Sequence, residues 1–99
     1  MFIVTLTYLK PNEEIDALLA AHRAFLRQQY ANGTFVMSGR MVPRTGGIII
    51  ANADSRADVE AVIELDPFRQ AGAASYAIIE FVPTMAADGL ETFLPDRQA

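Results

Sequence analysis

The chain has 99 residues, 52% of them hydrophobic, a net charge of −4 and no cysteine. This length allows one domain with a modest core, and the lack of cysteine excludes disulfides, thiolate nucleophiles and cysteine-based metal sites. Only eight Lys and Arg residues are present, too few for the clustered positive charge of a nucleic-acid or membrane-surface binder. Because the first residues lack the basic region and the long apolar run of a signal peptide, a cytoplasmic protein is expected.

The first half of the chain predicts a strand, a long helix and a second strand. Phe2 to Leu9 is rich in β-branched and aromatic residues, which favours a strand. Asn12 is expected to cap a helix that runs to Asn32, and Gly33 is expected to end it. Thr34 to Met41 follows as the second strand, in which Gly39 is expected to mark a bulge.

The second half of the chain predicts a strand, a helix and a last strand. Gly47 to Ala53 contains three consecutive isoleucines and is expected to be a buried strand. Ser55 is expected to cap a helix that reaches Asp66, and Asp66 in turn precedes a short helical turn that Gly72 ends. Ser75 to Pro83 is expected to form the last strand.

The predicted order β-α-β-β-α-β is typical of a ferredoxin-like α+β domain with an antiparallel four-stranded sheet. One such domain is expected over 1–99, with its core in 1–83 and a C-terminal extension over 84–99. Two helices can cover only one face of the sheet, yet the strands carry apolar residues on both faces, as in Ile48-Ile49-Ile50. A large exposed apolar face marks an interface. We therefore expect a homodimer in which two sheets pack face to face.

His22 is the only histidine in the chain, and it lies on the apolar face of the first predicted helix. A histidine on an inward face can serve in proton exchange. It can equally be a core residue whose ring nitrogen bonds to a carbonyl group or to water. The pattern of the sequence leaves both interpretations open.

Asp66 begins the triplet Asp66-Pro67-Phe68 at the end of the second predicted helix. A carboxylate before a proline is a suitable helix cap, and a cap needs no further function. The structural and functional roles are compatible, because one oxygen can accept a backbone N–H while the other faces His22. In that arrangement Asp66 would orient the imidazole and favour one tautomer.

Four further residues are weaker candidates for substrate binding: Ser38, Gly39, Arg40 and Phe68. A glycine in a strand lets a ligand approach closely, and Arg40 could reach an anionic substrate, as could Arg44. Both arginines also suit the solvated ends of a strand and a turn, and phenylalanine is more often a core residue. One histidine and scattered carboxylates give no metal-ligand spacing. No metal and no cofactor are therefore expected.

Several short motifs together resemble the YCII-related (YciI-like) family: Ala21-His22, Gly33, Ser38-Gly39, Asp66-Pro67-Phe68 and Ala71-Gly72. The resemblance covers residues 1 to 83 and implies a dimeric α+β barrel with a site in which His22 and Asp66 approach each other. It also implies small-molecule chemistry, since isomerases, dehydrochlorinases and monooxygenase-like proteins share the superfamily fold. Many members carry an arginine three residues before the histidine, where this chain has Leu19.

The leading hypothesis is a cofactor-independent enzyme in which His22 is the general base or acid and Asp66 orients it. Isomerisation, elimination and reactions of lactone-type substrates all suit such a pair. The alternative is a non-catalytic module that binds a small ligand or another protein, with His22 as a pocket wall. The distance between His22 and Asp66 is the feature that best distinguishes a paired site from separate packing roles.

Overall fold

The computed structural model describes residues 1–95, which form a four-stranded antiparallel sheet with helices on one face. The strands and helices are, in chain order, β1 (Phe2–Tyr8), α1 (Asn12–Ala31), β2 (Phe35–Arg40), β3 (Gly46–Ala51), α2 (Arg56–Ile63), α3 (Pro67–Gln70) and β4 (Ala74–Glu80). The strand order in the sheet is β2-β3-β1-β4. The predicted ferredoxin-like α+β fold is therefore confirmed.

The ends of α1 agree only partly with the sequence pattern. Asn12 is the first residue of the helix and not its cap, since the carbonyl of Pro11 accepts the N–H groups of Glu14 and Ile15 at 3.0 and 3.2 Å. The prediction for Asn12 was wrong because the extended backbone of Pro11, with ψ of 155°, already turns the chain into the helix. The predicted end is confirmed, since Gly33 follows the helix with a positive φ of 83°.

The second helical region is divided into two pieces. Ser55 caps α2 as predicted, because its hydroxyl accepts the N–H of Asp58 at 3.1 Å. The sequence pattern indicated that this helix reaches Asp66, but the helix ends at Ile63. Asp66 instead has an extended backbone and caps α3. This break directs the carboxylate of Asp66 into the interior, where the residue is completely buried.

The strand register separates side chains onto two faces of the sheet. The closed face lies under the helices and carries Phe2, Val4, Leu6, Tyr8, Phe35, Ser38, Arg40, Gly47, Ile49, Ala51, Ala74, Tyr76 and Ile78. The open face carries Ile3, Thr5, Thr7, Met37, Gly39, Ile48, Ile50, Ala77 and Ile79. The buried core lies between the closed face and the helices, where Ile15, Phe25, Val59, Ile63 and Phe68 pack on the strands.

An irregularity in β2 lies at a different residue from the predicted bulge. The register shifts between Phe35 and Met37, whereas Gly39 pairs regularly with Ile48. The prediction of a bulge at Gly39 was therefore wrong. The physical reason is alternation: Phe35 and Ser38 are an odd number of residues apart, so both can reach the closed face only if one extra residue, Val36, interrupts the pairing between them.

The chain leaves the sheet earlier than the sequence pattern indicated. β4 ends at Glu80, whereas the predicted strand extends to Pro83. The following segment borders a groove beside the open face, with apolar side chains that include Leu90, Phe93 and Leu94. The last part of the predicted extension, residues 96–99, lies outside the described residues.

Candidate functional site

His22 and Asp66 meet at the centre of the helical layer. Nδ1 of His22 lies 2.8 Å from Oδ1 of Asp66. His22 comes from the middle of α1, and Asp66 comes from the cap of α3, so the contact joins residues 44 positions apart in the sequence. The expected contact between the two candidate residues is confirmed.

Three hydrogen bonds surround the carboxylate of Asp66. Besides the imidazole, Oδ1 accepts the backbone N–H of Phe68 at 3.0 Å, and Oδ2 accepts the hydroxyl of Tyr76 at 2.6 Å. An ionised carboxylate can only accept hydrogen bonds, so Nδ1 of His22 is the donor in this pair. The arrangement therefore fixes the tautomer in which Nδ1 carries the proton and Nε2 carries the lone pair.

The ring of Phe68 stacks against one face of the His22 imidazole. The two ring centroids are 4.0 Å apart and the planes are inclined by 11°, which is a stacked arrangement. Phe68 is itself 1% exposed, so it gives His22 a rigid wall. The Asp66 bond and this stacking together restrict the rotation of the imidazole about both side-chain torsions.

The second ring nitrogen of His22 has access to open space. No buried side-chain nitrogen or oxygen of residues 1–95 lacks a hydrogen-bond partner. Within that part of the chain, His22 makes its side-chain hydrogen bond through Nδ1. Nε2 is therefore not enclosed, and His22 lines a pocket of about 250 Å³. A nitrogen with a free lone pair at a pocket wall can take or return a proton.

The pocket lies between α1 and the closed-face ends of β1, β2 and β3. Its walls combine aromatic and aliphatic groups with a few polar ones: Leu6, Tyr8, Leu19, His22, Arg23, Leu26, Ser38, Gly39, Arg40, Gly47, Ile48, Ile49 and Phe68. A concave apolar site with a small number of polar groups is typical of small-molecule binding.

All four of the weaker candidates border this pocket. Ser38 and Arg40 lie on the closed face, and the hydroxyl of Ser38 bonds to that of Tyr30. Gly39 is in register with the open face, and because it has no side chain it contributes only its backbone to the pocket. Arg44 lies elsewhere and pairs with Asp16.

Tyr76 was missed as part of the site by the sequence analysis. Strand alternation assigns it only to a face of the sheet, and nothing in its spacing points to Asp66. Burial, followed by the hydrogen bond to Asp66, raises the pKa of Tyr76 far above its usual value. The hydroxyl therefore remains protonated and donates to Oδ2, which leaves Oδ1 for His22 and the Phe68 amide.

Gly47 and Arg23 were also missed. Gly47 had been interpreted only as the start of a strand after a turn, but in the sheet it lies between Leu6 and Arg40 on the closed face. A Cβ atom at Gly47 would lie only 3.0 Å from the carbonyl oxygen of Gly39, so the close approach of β2 and β3 favours glycine here. Arg23 follows His22 directly in α1 and lines the pocket, although an exposed arginine beside an inward histidine gives no signal in the helical pattern.

The described part of the chain contains neither a cluster of metal ligands nor a membrane-spanning helix. Within residues 1–95, no group of three or more His, Cys, Asp or Glu side chains is arranged to hold a metal ion. No helix in the same range combines the length and the apolar character needed to cross a membrane.

Comparison with known proteins gives a family and a structural neighbour. The YCII-related domain matches residues 1–82, and no protein with a curated description matches. Among solved structures, the chain is similar to 5-chloro-2-hydroxyhydroquinone dehydrochlorinase from Burkholderia phenoliruptrix, in complex with 2,5-dihydroxybenzoquinone, with a TM-score of 0.65 and 24% identity. The match covers 82% of this chain and 93% of the dehydrochlorinase. The family match and the shared fold agree, and the chain belongs to the YCII-related domain family.

Proposed function

We propose that the protein is a cofactor-independent enzyme that moves protons on a small organic molecule, with His22 as the catalytic base and acid. The observation that carries the proposal is the pairing of a pocket-lining imidazole with a carboxylate that is 0% exposed. Catalytic histidines rely on such a group to fix the ring and to stabilise the imidazolium that forms when they take a proton. The support for a role beyond packing is that Nε2 makes no hydrogen bond within residues 1–95 and His22 lines the pocket.

Asp66 is the positioning residue in this proposal. Its bonds to the Phe68 amide and the Tyr76 hydroxyl hold the carboxylate still, so that Oδ1 keeps its place when the imidazole becomes charged. The new positive charge then lies 2.8 Å from a negative one whose side chain is fully buried. Preorganised charge of this kind lowers the energy of the charged state without reorganisation during the reaction.

Elimination and isomerisation are the reaction classes that fit the pair. In an elimination, Nε2 takes a proton from the substrate, the remaining electron pair forms a double bond, and the leaving group departs with its own pair. The imidazolium then returns its proton to the departing group. In an isomerisation, including that of an unsaturated lactone, the same proton returns to a different carbon atom. Each sequence moves one proton from the substrate to Nε2 and back again, and His22 can carry that proton with Asp66 behind it.

The structural neighbour supports this class of chemistry. Its name describes the loss of hydrogen chloride from a chlorinated hydroxyhydroquinone, and its complex contains a dihydroxybenzoquinone. The pocket beside His22 suits a planar ring, since Tyr8 and Phe68 provide aromatic walls. We therefore place single-ring hydroxylated compounds first among the candidate substrates.

A homodimer through the open face belongs to the same proposal. Met37, Ile48 and Ile79 are 64%, 40% and 55% exposed on that face. Apolar side chains gathered on one face favour association, and a specific interface typically buries about 1,600 Å² in total. The resemblance to the YCII-related family, which implies a dimeric barrel, agrees with this arrangement.

The test combines ligand screening with turnover. Hydroxylated and chlorinated benzenes and unsaturated lactones would be screened by thermal shift, and every compound that binds would be followed by NMR for product. His22→Gln should lower kcat/KM by about 10²–10⁴-fold, the usual contribution of general acid–base catalysis. Asp66→Asn keeps hydrogen-bonding groups but removes the charge, and should lower kcat with little change in KM.

Arg27→Gln is the matched control, because Arg27 lies on α1 just over one turn after His22 and is not among the pocket residues. It should leave turnover unchanged. Undiminished turnover in His22→Gln would contradict the proposal. Ligands that bind to the wild type but are never converted would favour the alternative, a binding module in which His22 is only a wall.

A further inference from the structure

The charge of the pocket is opposite to that of the chain. The protein carries a net charge of −4, yet two arginines, Arg23 and Arg40, line the pocket and no Asp or Glu is among its lining residues. The carboxylate of Asp66 lies behind His22 and accepts three hydrogen bonds, from the His22 imidazole, the Phe68 amide and the Tyr76 hydroxyl. A negative protein thus presents a positive site.

Within residues 1–95, the two arginines also differ from most others in having no carboxylate partner. Within residues 1–95, Arg44, Arg56 and Arg69 each pair with an acidic side chain, at Asp16, Glu60 and Glu64. Arg23 and Arg40 form no ion pair in that part of the chain, although acidic residues outnumber basic ones by 12 to 8. Guanidinium groups left without a partner beside a cavity are suited to bind an anion from outside.

Arg23 and Arg40 come from two different elements that border the same pocket as His22. Arg23 is the residue after His22 on α1. Arg40 ends β2 on the closed face and pairs with Gly47. Aromatic and aliphatic walls, including Tyr8, Leu26 and Phe68, complete the pocket. The site therefore combines apolar walls with two positively charged side chains.

We infer that the substrate is a small planar organic anion, a carboxylate or an ionised phenol or enol, whose negative oxygen is held by Arg23 and Arg40. This inference rests on the proposed function for its second role: the same arginines stabilise the oxyanion that forms when His22 removes a proton from the bound molecule. Neutral compounds of the same shape are poor ligands, because they leave both guanidinium groups unpaired at the cavity.

The experiment compares benzoate with benzamide, which have the same shape but differ in charge. Both would be titrated into ¹⁵N-labelled protein at low ionic strength, with the backbone amides of Gly39 and Gly47 as reporters of the pocket. Benzoate should bind at least about fivefold more tightly than benzamide, and added salt should reduce the difference. Arg23→Gln and Arg40→Gln should each weaken benzoate binding by about three- to tenfold and leave benzamide unchanged.

Arg27→Gln provides the matched control, since Arg27 is also an exposed arginine of α1 without an ion pair among residues 1–95, but it does not line the pocket. It should not change benzoate binding. Equal affinities for acid and amide, an equal loss in Arg27→Gln, or no benzoate-dependent shift at Gly39 and Gly47 would each overturn the inference.

The same titration separates this inference from the proposed function. His22→Gln should retain the preference for benzoate, because both arginines are intact. A charge-selective pocket that converts no substrate would overturn the enzyme assignment alone. Turnover that depends on His22 but shows no preference for anions would overturn the anion site alone.

Discussion

The two faces of the sheet are built from the same four strands but differ in chemistry. On the closed face, the carboxylate of Asp66 meets three donors, and the His22 pocket opens beside it. On the open face, exposed apolar side chains such as Met37 and Ile79 dominate. Neighbouring residues in one strand therefore serve different purposes: Ile78 packs on the core and Ile79 faces away from it.

The largest loss of stability is expected from a substitution at Gly46, where the backbones of β1 and β3 approach most closely. A Cβ atom there would lie 1.8 Å from the carbonyl oxygen of Leu6, so Gly46→Ala cannot be accommodated without breaking the pairing of β1 with β3. We expect a loss of more than about 4 kcal/mol or no folded protein. Gly39→Ala is the control, because a Cβ at Gly39 meets nothing within 4 Å. Urea unfolding should show Gly39→Ala within about 0.5 kcal/mol of the wild type; similar losses in both variants would contradict the structure of this strand pair.

The next effect distinguishes the two members of the site on the closed face. Asp66→Ala removes one acceptor from three buried donors and should destabilise the protein by about 3–5 kcal/mol. His22→Ala leaves the bonds from Phe68 and Tyr76 to Asp66 in place and enlarges an existing pocket, so we expect a loss of only about 1–2 kcal/mol. Chemical unfolding of both variants would measure the difference. A larger loss for His22→Ala, with ligand binding unchanged, would favour the interpretation of His22 as a packing residue.

The contrast between the two faces can be tested directly with one charge on each. Ile79→Asp places a carboxylate on the open face, where it should raise the dissociation constant of the proposed dimer at least 100-fold, about 2.7 kcal/mol, and leave the monomer folded. Ile78→Asp places the same charge at a partly buried position on the closed face and should destabilise the monomer. Sedimentation and circular dichroism would report the two outcomes. A wild-type monomer at micromolar concentration would exclude the dimer.

The smallest effect is expected at alkaline pH through Tyr76. Because burial and Asp66 raise the pKa of Tyr76, the folded protein keeps the hydroxyl protonated at a pH at which the unfolded chain loses the proton. The stabilising contribution is therefore complete below about pH 10. It falls above that pH, by at most about 1.4 kcal/mol per pH unit.

Tyr76→Phe should cost about 1 kcal/mol at neutral pH, from the lost hydrogen bond to Asp66. Its stability should then fall less steeply than that of the wild type above pH 10. The measurement is urea unfolding at a series of pH values from 7 to 11.5. Parallel pH profiles for the two proteins would show that Tyr76 does not retain its proton in the folded state.

The sequence was sufficient for those features that depend on local chemistry. The start of α2 follows from the capping side chain of Ser55, and the end of α1 follows from the positive φ of Gly33. Both occur as expected. The contact of His22 with Asp66 could be anticipated because one lies on an inward helical face and the other caps a neighbouring element. The order of strands and helices follows from hydrophobic periodicity, which the tertiary structure obeys.

Features that depend on register or on contacts between distant elements could not be predicted. The bulge residue in β2 is set by the need to place Phe35 and Ser38 on one face, which requires knowledge of the partner strand. The bond from Tyr76 to Asp66 depends on distances across the fold, as does the lack of an ion pair at Arg23 within residues 1–95. The early end of α2 likewise reflects the burial of Asp66, a tertiary demand that outweighs the helical pattern of Glu64 and Leu65.

The two bonds to Oδ1 of Asp66 couple the opening of the site to the opening of α3. This atom holds both the imidazole of His22 and the first free amide of α3, that of Phe68. Any fluctuation that unwinds the start of α3 must release the histidine as well, so the two events share one opening equilibrium. Hydrogen–deuterium exchange at the Phe68 amide would therefore report the fraction of time for which His22 is correctly oriented, even before a substrate is known.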